Sequence, residues 1–210
     1  MSEAAALQAR KPEFMTADTE LIQRCQQGDH AAFAVLVKKF ERRVFGLIYQ
    51  ILRSANEVED IAQEVFTKLY FSLPQFRLDG SFDAWLYRIV VNQCYDYLRK
   101  RKRAPQVTEA DLSPEEVAYI ESLGSLTRAG HADVHVTLET KQAADHLLEA
   151  LPPKERSLLI LKEVEGLSIE ELMRTFKASK SAIKLRLFRA RKHLKSIYEK
   201  NKKGKGKKRI

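Results

Sequence analysis

The chain has 210 residues, a formal charge of +9, eight glycines and six prolines, with long stretches rich in Leu, Glu, Lys, Arg and Ala that favour helices and leave no segment reading as a strand. Its longest unbroken apolar run, Ala31 to Val37, ends in Lys38-Lys39, far short of the roughly 20 residues of a membrane span, and residues 1–17 carry no apolar core of signal-peptide length. The expectation is therefore an all-α, soluble, cytoplasmic protein of two small helical domains, without membrane insertion.

Residues 1–17 read as a flexible N-terminus. Leu21, Ile22 and Cys25 then make a short apolar face that Gly28 brings to a stop. Asp29 suits the cap of the next helix, in which Phe33, Leu36, Val37, Phe40, Val44, Leu47, Ile48 and Ile51 follow the i, i+3, i+4, i+7 template. Asn56 opens a third helix reaching residue 72, with Val58, Ile61, Ala62, Val65 and Leu69 inward and Glu57, Asp60, Gln63, Glu64 and Lys68 outward. Pro74 marks its end. After the loop Phe76-Arg77-Leu78-Asp79-Gly80, Ser81 is a good cap for a helix running to about Arg103. Phe82, Trp85, Leu86, Ile89 and Gln93 lie on one side of it, while Arg88, Val91, Tyr95, Arg99 and Lys102 project from the other. Residues 18–103 thus form the first domain. Cys25 and Cys94 sit in helical patterns without metal-ligand spacing and read as buried thiols.

Residues 104–139 hold one basic residue, Arg128, against seven acids. They read as an acidic linker, able to span about 30 Å as a relaxed coil, with a short helix announced by the capping box Ser113-Pro114-Glu115-Glu116. His131 and His135 are spaced i, i+4 but have no third ligand nearby, so neither a metal nor any other cofactor is expected. The apolar pattern returns over residues 140–199. Ala144, Leu147, Leu148 and Leu151 share one helix; Pro152-Pro153 open a second with Leu158, Leu161 and Val164, which Gly166 ends. Ser168-Ile169-Glu170-Glu171 is another capping box, starting a helix of only two to three turns. After the turn Lys177-Ala178-Ser179, the last helix places Ile183, Leu187, Ala190, Leu194 and Ile197 on one stripe, with Ser181, Lys184, Leu185, Phe188, Arg189 and Lys192 roughly opposite. A short helix, a tight turn and a long helix with a basic outer face make a helix-turn-helix, whose second helix fits the major groove. Residues 200–210 hold seven Lys or Arg and no acid: a basic, disordered tail, either a solubilising end or a non-specific DNA clamp. Basic blocks parted by an acidic stretch point to a polyanion gripped at two places.

At this point four stretches resemble the extracytoplasmic-function group of the sigma-70 family. EVEDIAQEVFTKLY and FRLDGSFDAWLYRIVVNQCYDYLRKRKR carry the resemblance in the first domain, LPPKERSLLILKEVEGLSIEELMRTF and IKLRLFRARKHL in the second. The resemblance implies a factor that brings core RNA polymerase to promoter DNA. It assigns Asp60, Gln63 and Glu64 to a contact with the largest polymerase subunit, where the residues alone would suggest only a solvated acidic face. Loop 76–82 and the helix after it would read the minus-ten element and help open it, with Phe76, Asp79, Gly80 and Ser81 shaping a pocket for an extruded base and Arg88, Asn92, Tyr95 and Arg99 tracking the separated strand. Trp85 reads rather as a core anchor, and Phe82 stands between pocket and core. Over the minus-thirty-five element, Lys184, Arg186 and Arg189 would grip phosphates or guanines, and Ser181, Leu185 and Phe188 would lie near base edges. Members of the family are commonly held by an anti-sigma protein, which adds one as a candidate partner. The chain departs from the family at Met173, Lys177 and Leu185, where Ala, Gly and a small polar residue are usual.

Two other readings compete. A stand-alone helix-turn-helix regulator would use the first domain as a sensor, yet a sensor has no reason to join an acidic face to a basic aromatic helix. A nucleic-acid enzyme needs a carboxylate cluster, a phosphate loop or an activated nucleophile, and the sequence displays none of these, so no catalytic residue is expected.

Overall fold

Four helices build the first domain in a computed structural model that describes residues 17–103, 118 and 138–206: α1 (Ala17–Gln26), α2 (His30–Leu52), α3 (Val58–Ser72) and α4 (Phe82–Arg103). Gly28, at φ +87, turns the chain out of α1, a left-handed backbone that costs glycine nothing. The Asp29 side chain then accepts from the Ala32 amide at 2.9 Å and from Arg24 Nη2 at 2.7 Å; these two bonds hold its carboxyl below the usual carboxylate range. The apolar stripe of α2 is inside as expected, with Leu36, Phe40, Val44, Leu47, Ile48 and Ile51 buried. In α3 the inward set is also buried, but the helix starts at Val58, without a side-chain cap from Glu57, so Asn56 precedes it as part of a turn. A single 3-10 turn, Leu73–Gln75, absorbs Pro74. The Gln26 amide donates to the carbonyls of Leu73 and Phe76, at 3.0 and 2.8 Å, and so ties the loop before α4 to α1.

Val91 does not project outward from α4; it is buried, as is Tyr87. The cause is that α4 is covered twice, by α2 and α3 on one side and by a helix of the second domain on the other. Of the thiols, Cys94 is buried and Cys25 only partly so, packed against the core; burial pushes both up, with Asp29 adding to the effect at Cys25.

The second domain comprises α5 (Leu138–Glu149), α6 (Pro153–Leu159), which runs into a π turn over Ile160–Val164, then α7 (Ile169–Phe176) and α8 (Lys180–Gly206). Gly166, at φ +71, ends the π turn. The capping box at Ser168 is formed in both directions. Ser179 caps α8 by accepting from the Ala182 amide at 3.3 Å. Ile183, Leu187 and Ala190 are buried beneath α8, while Leu194 and Ile197 are partly so. The helix continues to Gly206, well past residue 199; the tail expected to be disordered from residue 200 is helical over that stretch. The Ser113 capping box and the His131–His135 pair lie outside the described residues. Among the described residues there is no strand, and no helix is long and apolar enough to cross a membrane.

The domains meet where α6 packs on α2 and α7 on α4. Arg156 is buried here at 5% exposure. Its guanidinium donates to Leu148 O at 2.9 Å, Glu149 O at 2.8 Å and Leu151 O at 2.9 Å, and across the domains to Ile51 O at 2.8 Å. Carbonyls in the last turn of a helix lack intrahelical partners and carry the negative end of its dipole. One cation thus serves the ends of α2 and α5 together. Burial, and then Arg53, push its pKa down to about 10, which leaves it charged at neutral pH.

Candidate nucleic-acid interface

On α3 the outward residues Asp60, Gln63 and Glu64 are all exposed. Glu64 is oriented from α4: Gln93 Nε2 donates to it at 2.9 Å, and Lys68 Nζ donates to the Gln93 amide oxygen at 3.0 Å. An aromatic patch adjoins this acidic face, lined by Phe33, Phe66, Tyr70 and Phe71 beside Gln63, with Phe71 72% exposed. Sequence reasoning passed over it, although two adjacent aromatics lying off the inward stripe are a signal it could have used.

A second site forms where loop 76–81 meets the start of α4. Phe76, Asp79, Gly80, Ser81 and Arg88 line one cavity of about 230 Å³, so five of the eight residues expected at the minus-ten element come together. Phe76 is buried and forms the wall, with ring centroids 5.0 Å from Trp85 and 5.4 Å from Phe82. Phe82 turns the other way, against Phe40 at 5.1 Å, and belongs to the core. Trp85 packs on the core as expected and also faces the cavity. Asp79 is held by Arg77 Nη2 at 2.8 Å, whereas Arg88 forms no ion pair among the described residues and is available to an anionic ligand. Asn92 and Arg99 are exposed further along α4, Arg99 being paired with Asp96.

Tyr95 is placed differently. Its hydroxyl shares a hydrogen bond of 2.5 Å with Ser157 of α6, and burial pushes its pKa up to about 12. It therefore faces the second domain. Glu171, Arg174 and Thr175 of α7 also line the cavity, and sequence reasoning missed them because no periodicity within a helix reports which helix of another domain will cover it.

Along α8, Ser181, Lys184, Leu185, Arg186, Phe188 and Arg189 are all exposed, on the side opposite the buried stripe. Two of them are large apolar side chains left in water, Leu185 at 47% and Phe188 at 64% exposure. The cations of the helix divide into two sets. Arg191 is paired with Glu163 at 2.6 Å and Lys180 with Glu170 at 3.2 Å, whereas Lys184, Arg186 and Arg189 form no ion pair among the described residues. An exposed helix face with free cations and apolar groups suits a duplex groove, phosphates meeting the former and thymine methyls the latter.

Residues 36–104 match the family described as Sigma-70 region 2, and residues 141–194 match Sigma-70, region 4. The RNA polymerase sigma-H factor of Pseudomonas aeruginosa is 34% identical over 175 residues, covering 83% of this chain and 90% of that protein. The ECF RNA polymerase sigma-E factor of Escherichia coli (strain K12) is likewise 34% identical over 175 residues, with the same 83% and 90% coverage. Among solved structures, CnrH in complex with the cytosolic domain of CnrY superposes with a TM-score of 0.59 at 21% identity, over 88% of this chain and 98% of that one. The sigma factor RpoE in complex with the anti-sigma factor NepR from Bartonella quintana gives 0.57 at 20% identity, over 80% and 96%. At these identities the two structures speak for the shared fold alone.

Proposed function

The chain belongs to the extracytoplasmic-function group of the sigma-70 family, a sigma factor directing promoter-specific transcription initiation, and we propose how its residues divide that work. The exposed acidic face of α3, Asp60, Gln63 and Glu64, docks on core RNA polymerase. Loop 76–81 and α4 take the minus-ten element: the cavity at Phe76, Asp79, Gly80 and Ser81 receives one extruded base, and Arg88, Asn92 and Arg99 follow the strand, joined by Tyr95 once the second domain has moved away. In the second domain, α8 enters the major groove of the minus-thirty-five element with Ser181, Lys184, Leu185, Arg186, Phe188 and Arg189. The work takes place on chromosomal DNA in the cytoplasm and calls for neither a catalytic step by the chain itself nor a cofactor. An anti-sigma protein, the partner of the Bartonella neighbour, is the candidate regulator.

The observation that carries this reading is the first-domain wall of the cavity, Phe76 and Asp79 to Ser81, gathered beside Arg88 at the head of a cationic helix. A duplex-only regulator has no use for it, because a stacked base pays back its extrusion, by roughly 1–3 kcal/mol, only on an unpaired strand. Arg88→Ala combined with Arg99→Ala should leave the polymerase complex and duplex binding by the second domain nearly intact while permanganate reactivity of unpaired start-site thymines disappears. A pre-melted bubble template should restore part of the transcription. Full opening by the double variant would refute the strand-tracking role.

A further inference from the structure

The outer face of α8 is divided in a regular way. At about 100° per residue, Leu185 and Phe188 straddle the line opposite the buried Ile183, Leu187 and Ala190, and Lys184 and Arg189 stand on its two flanks. The two apolar side chains are 47% and 64% exposed, and neither cation forms an ion pair among the described residues. In cross-section this is an apolar pair between two free positive charges, the complement of a major groove whose floor of base edges lies between two phosphate walls. An apolar strip so narrow lacks the wider core of a protein–protein contact, and the free cations call for a polyanion.

The chemistry of the two side chains restricts what they can meet on the groove floor. Neither carries a hydrogen-bond donor or acceptor. Over a G·C pair each would cover the guanine O6 and N7 or the cytosine amino group without replacing the water they lose. The C5-methyl of thymine is the apolar group that the four bases offer in the major groove. The rise along α8 from Leu185 to Phe188 is about 4.5 Å, close to the roughly 3.4 Å between base pairs, so the two side chains reach neighbouring pairs. Leu185 stands where the family usually has a small polar residue, so the apolar pair belongs to this chain rather than to the family at large.

We propose that Leu185 and Phe188 select thymine, through its methyl group, at two neighbouring pairs of the minus-thirty-five element, while Lys184 and Arg189 hold the phosphates on either side. This rests on the sigma-factor reading above, with α8 as the duplex-binding helix. Leu185 is then a specificity-determining residue, which sets the base accepted at its pair and contributes no charge contact.

Duplexes bound and transcribed by the full chain with core polymerase are selected from a random pool, and each thymine of the upstream element is then replaced singly by deoxyuridine. The replacement removes the methyl group and leaves every hydrogen-bonding edge in place. With wild type, the affinity of the polymerase complex should fall about fourfold at each of two neighbouring pairs, the equivalent of one buried methyl at about 0.8 kcal/mol, and change little at the others. Leu185→Ser should abolish the loss at one of the two pairs and keep it at the other, and Phe188→Ala should do the reverse. At the same two pairs, 5-methylcytosine should bind wild type more tightly than cytosine does. Because the thymine-to-uracil ratio is read within each protein, a general weakening of DNA binding by a variant cannot imitate this pattern. The absence of uridine-sensitive neighbouring pairs with wild type, or equal sensitivity in Leu185→Ser, overturns the proposal. Uridine insensitivity together with a loss of core binding by Leu185→Ser would also overturn it, and would make the apolar pair a protein contact. A failure of the sigma-factor reading would look different: no duplex from the pool would support run-off transcription with core polymerase.

Discussion

Lys177 follows the last turn of α7 with φ +46, its amide donating to Met173 O. A side chain in the left-handed region costs on the order of 1 kcal/mol, a cost glycine avoids but partly returns through the greater freedom of its unfolded chain. Lys177 is exposed and its side chain has no partner among the described residues, so Lys177→Gly should stabilise the protein by roughly 0.5–1 kcal/mol. Urea unfolding followed by circular dichroism measures this as a higher midpoint; a lower one would contradict it. Arg53 has a similar backbone, at φ +55, but its guanidinium holds Asp145. Arg53→Gly should therefore not gain in the same way. The resemblance marks Lys177 as unusual, because a family that prefers glycine there implies a turn needing positive φ. Nothing in the sequence marked Arg156, whose burial depends on two helix ends from different parts of the chain arriving at one point.

Helices whose buried residues keep to one stripe were legible in the sequence. The stripes of α3 and α8 follow a single period, and that of α2 does so until its last turns, where Gly46 and Gln50 are buried as well. Helix α4 defeats that logic: packed between α2, α3 and α7, it buries Val91 and turns Tyr95 inward, and its apolar and polar residues follow no one stripe. The candidate site divides the same way. The loop side of the cavity, Phe76 to Ser81, was named from the resemblance, whereas the α7 side belongs to a contact between domains that sequence period does not encode. Helix α3 offers the sharper test, since among the described residues Asp60 forms no ion pair and Glu64 meets Gln93 and Lys100. Reversing Asp60 and Glu64 to Lys should abolish co-purification with core polymerase and leave helicity intact, because charges shown on one helix face act together against a basic partner. Unchanged co-purification would remove α3 from the docking surface.

At the scale of the whole molecule, the proposed division of work makes the acidic stretch between the domains a tether for two DNA elements. Its acids would then discourage sticking to the polyanion, and its length would supply reach. If reach is what matters, deleting residues 110–129 leaves about 14 of the residues between Arg103 and Leu138, enough for about 45 Å when taut, against about 85 Å for elements about 25 base pairs apart on a duplex rising 3.4 Å per pair. A tether too short to span two sites reduces the effective concentration of the second towards zero. The shortened chain should still bind core polymerase through α3 and duplex DNA through α8, yet run-off transcription from promoters needing both elements should fall by roughly tenfold or more. Replacing the deleted twenty residues with a Gly/Ser segment of equal length should restore it, because such a linker matches the reach without the sequence. Full activity of the shortened chain would mean that the domains meet promoter DNA without separating as far as the duplex demands, and failure of the Gly/Ser replacement would mean that the acids, rather than the length, do the work.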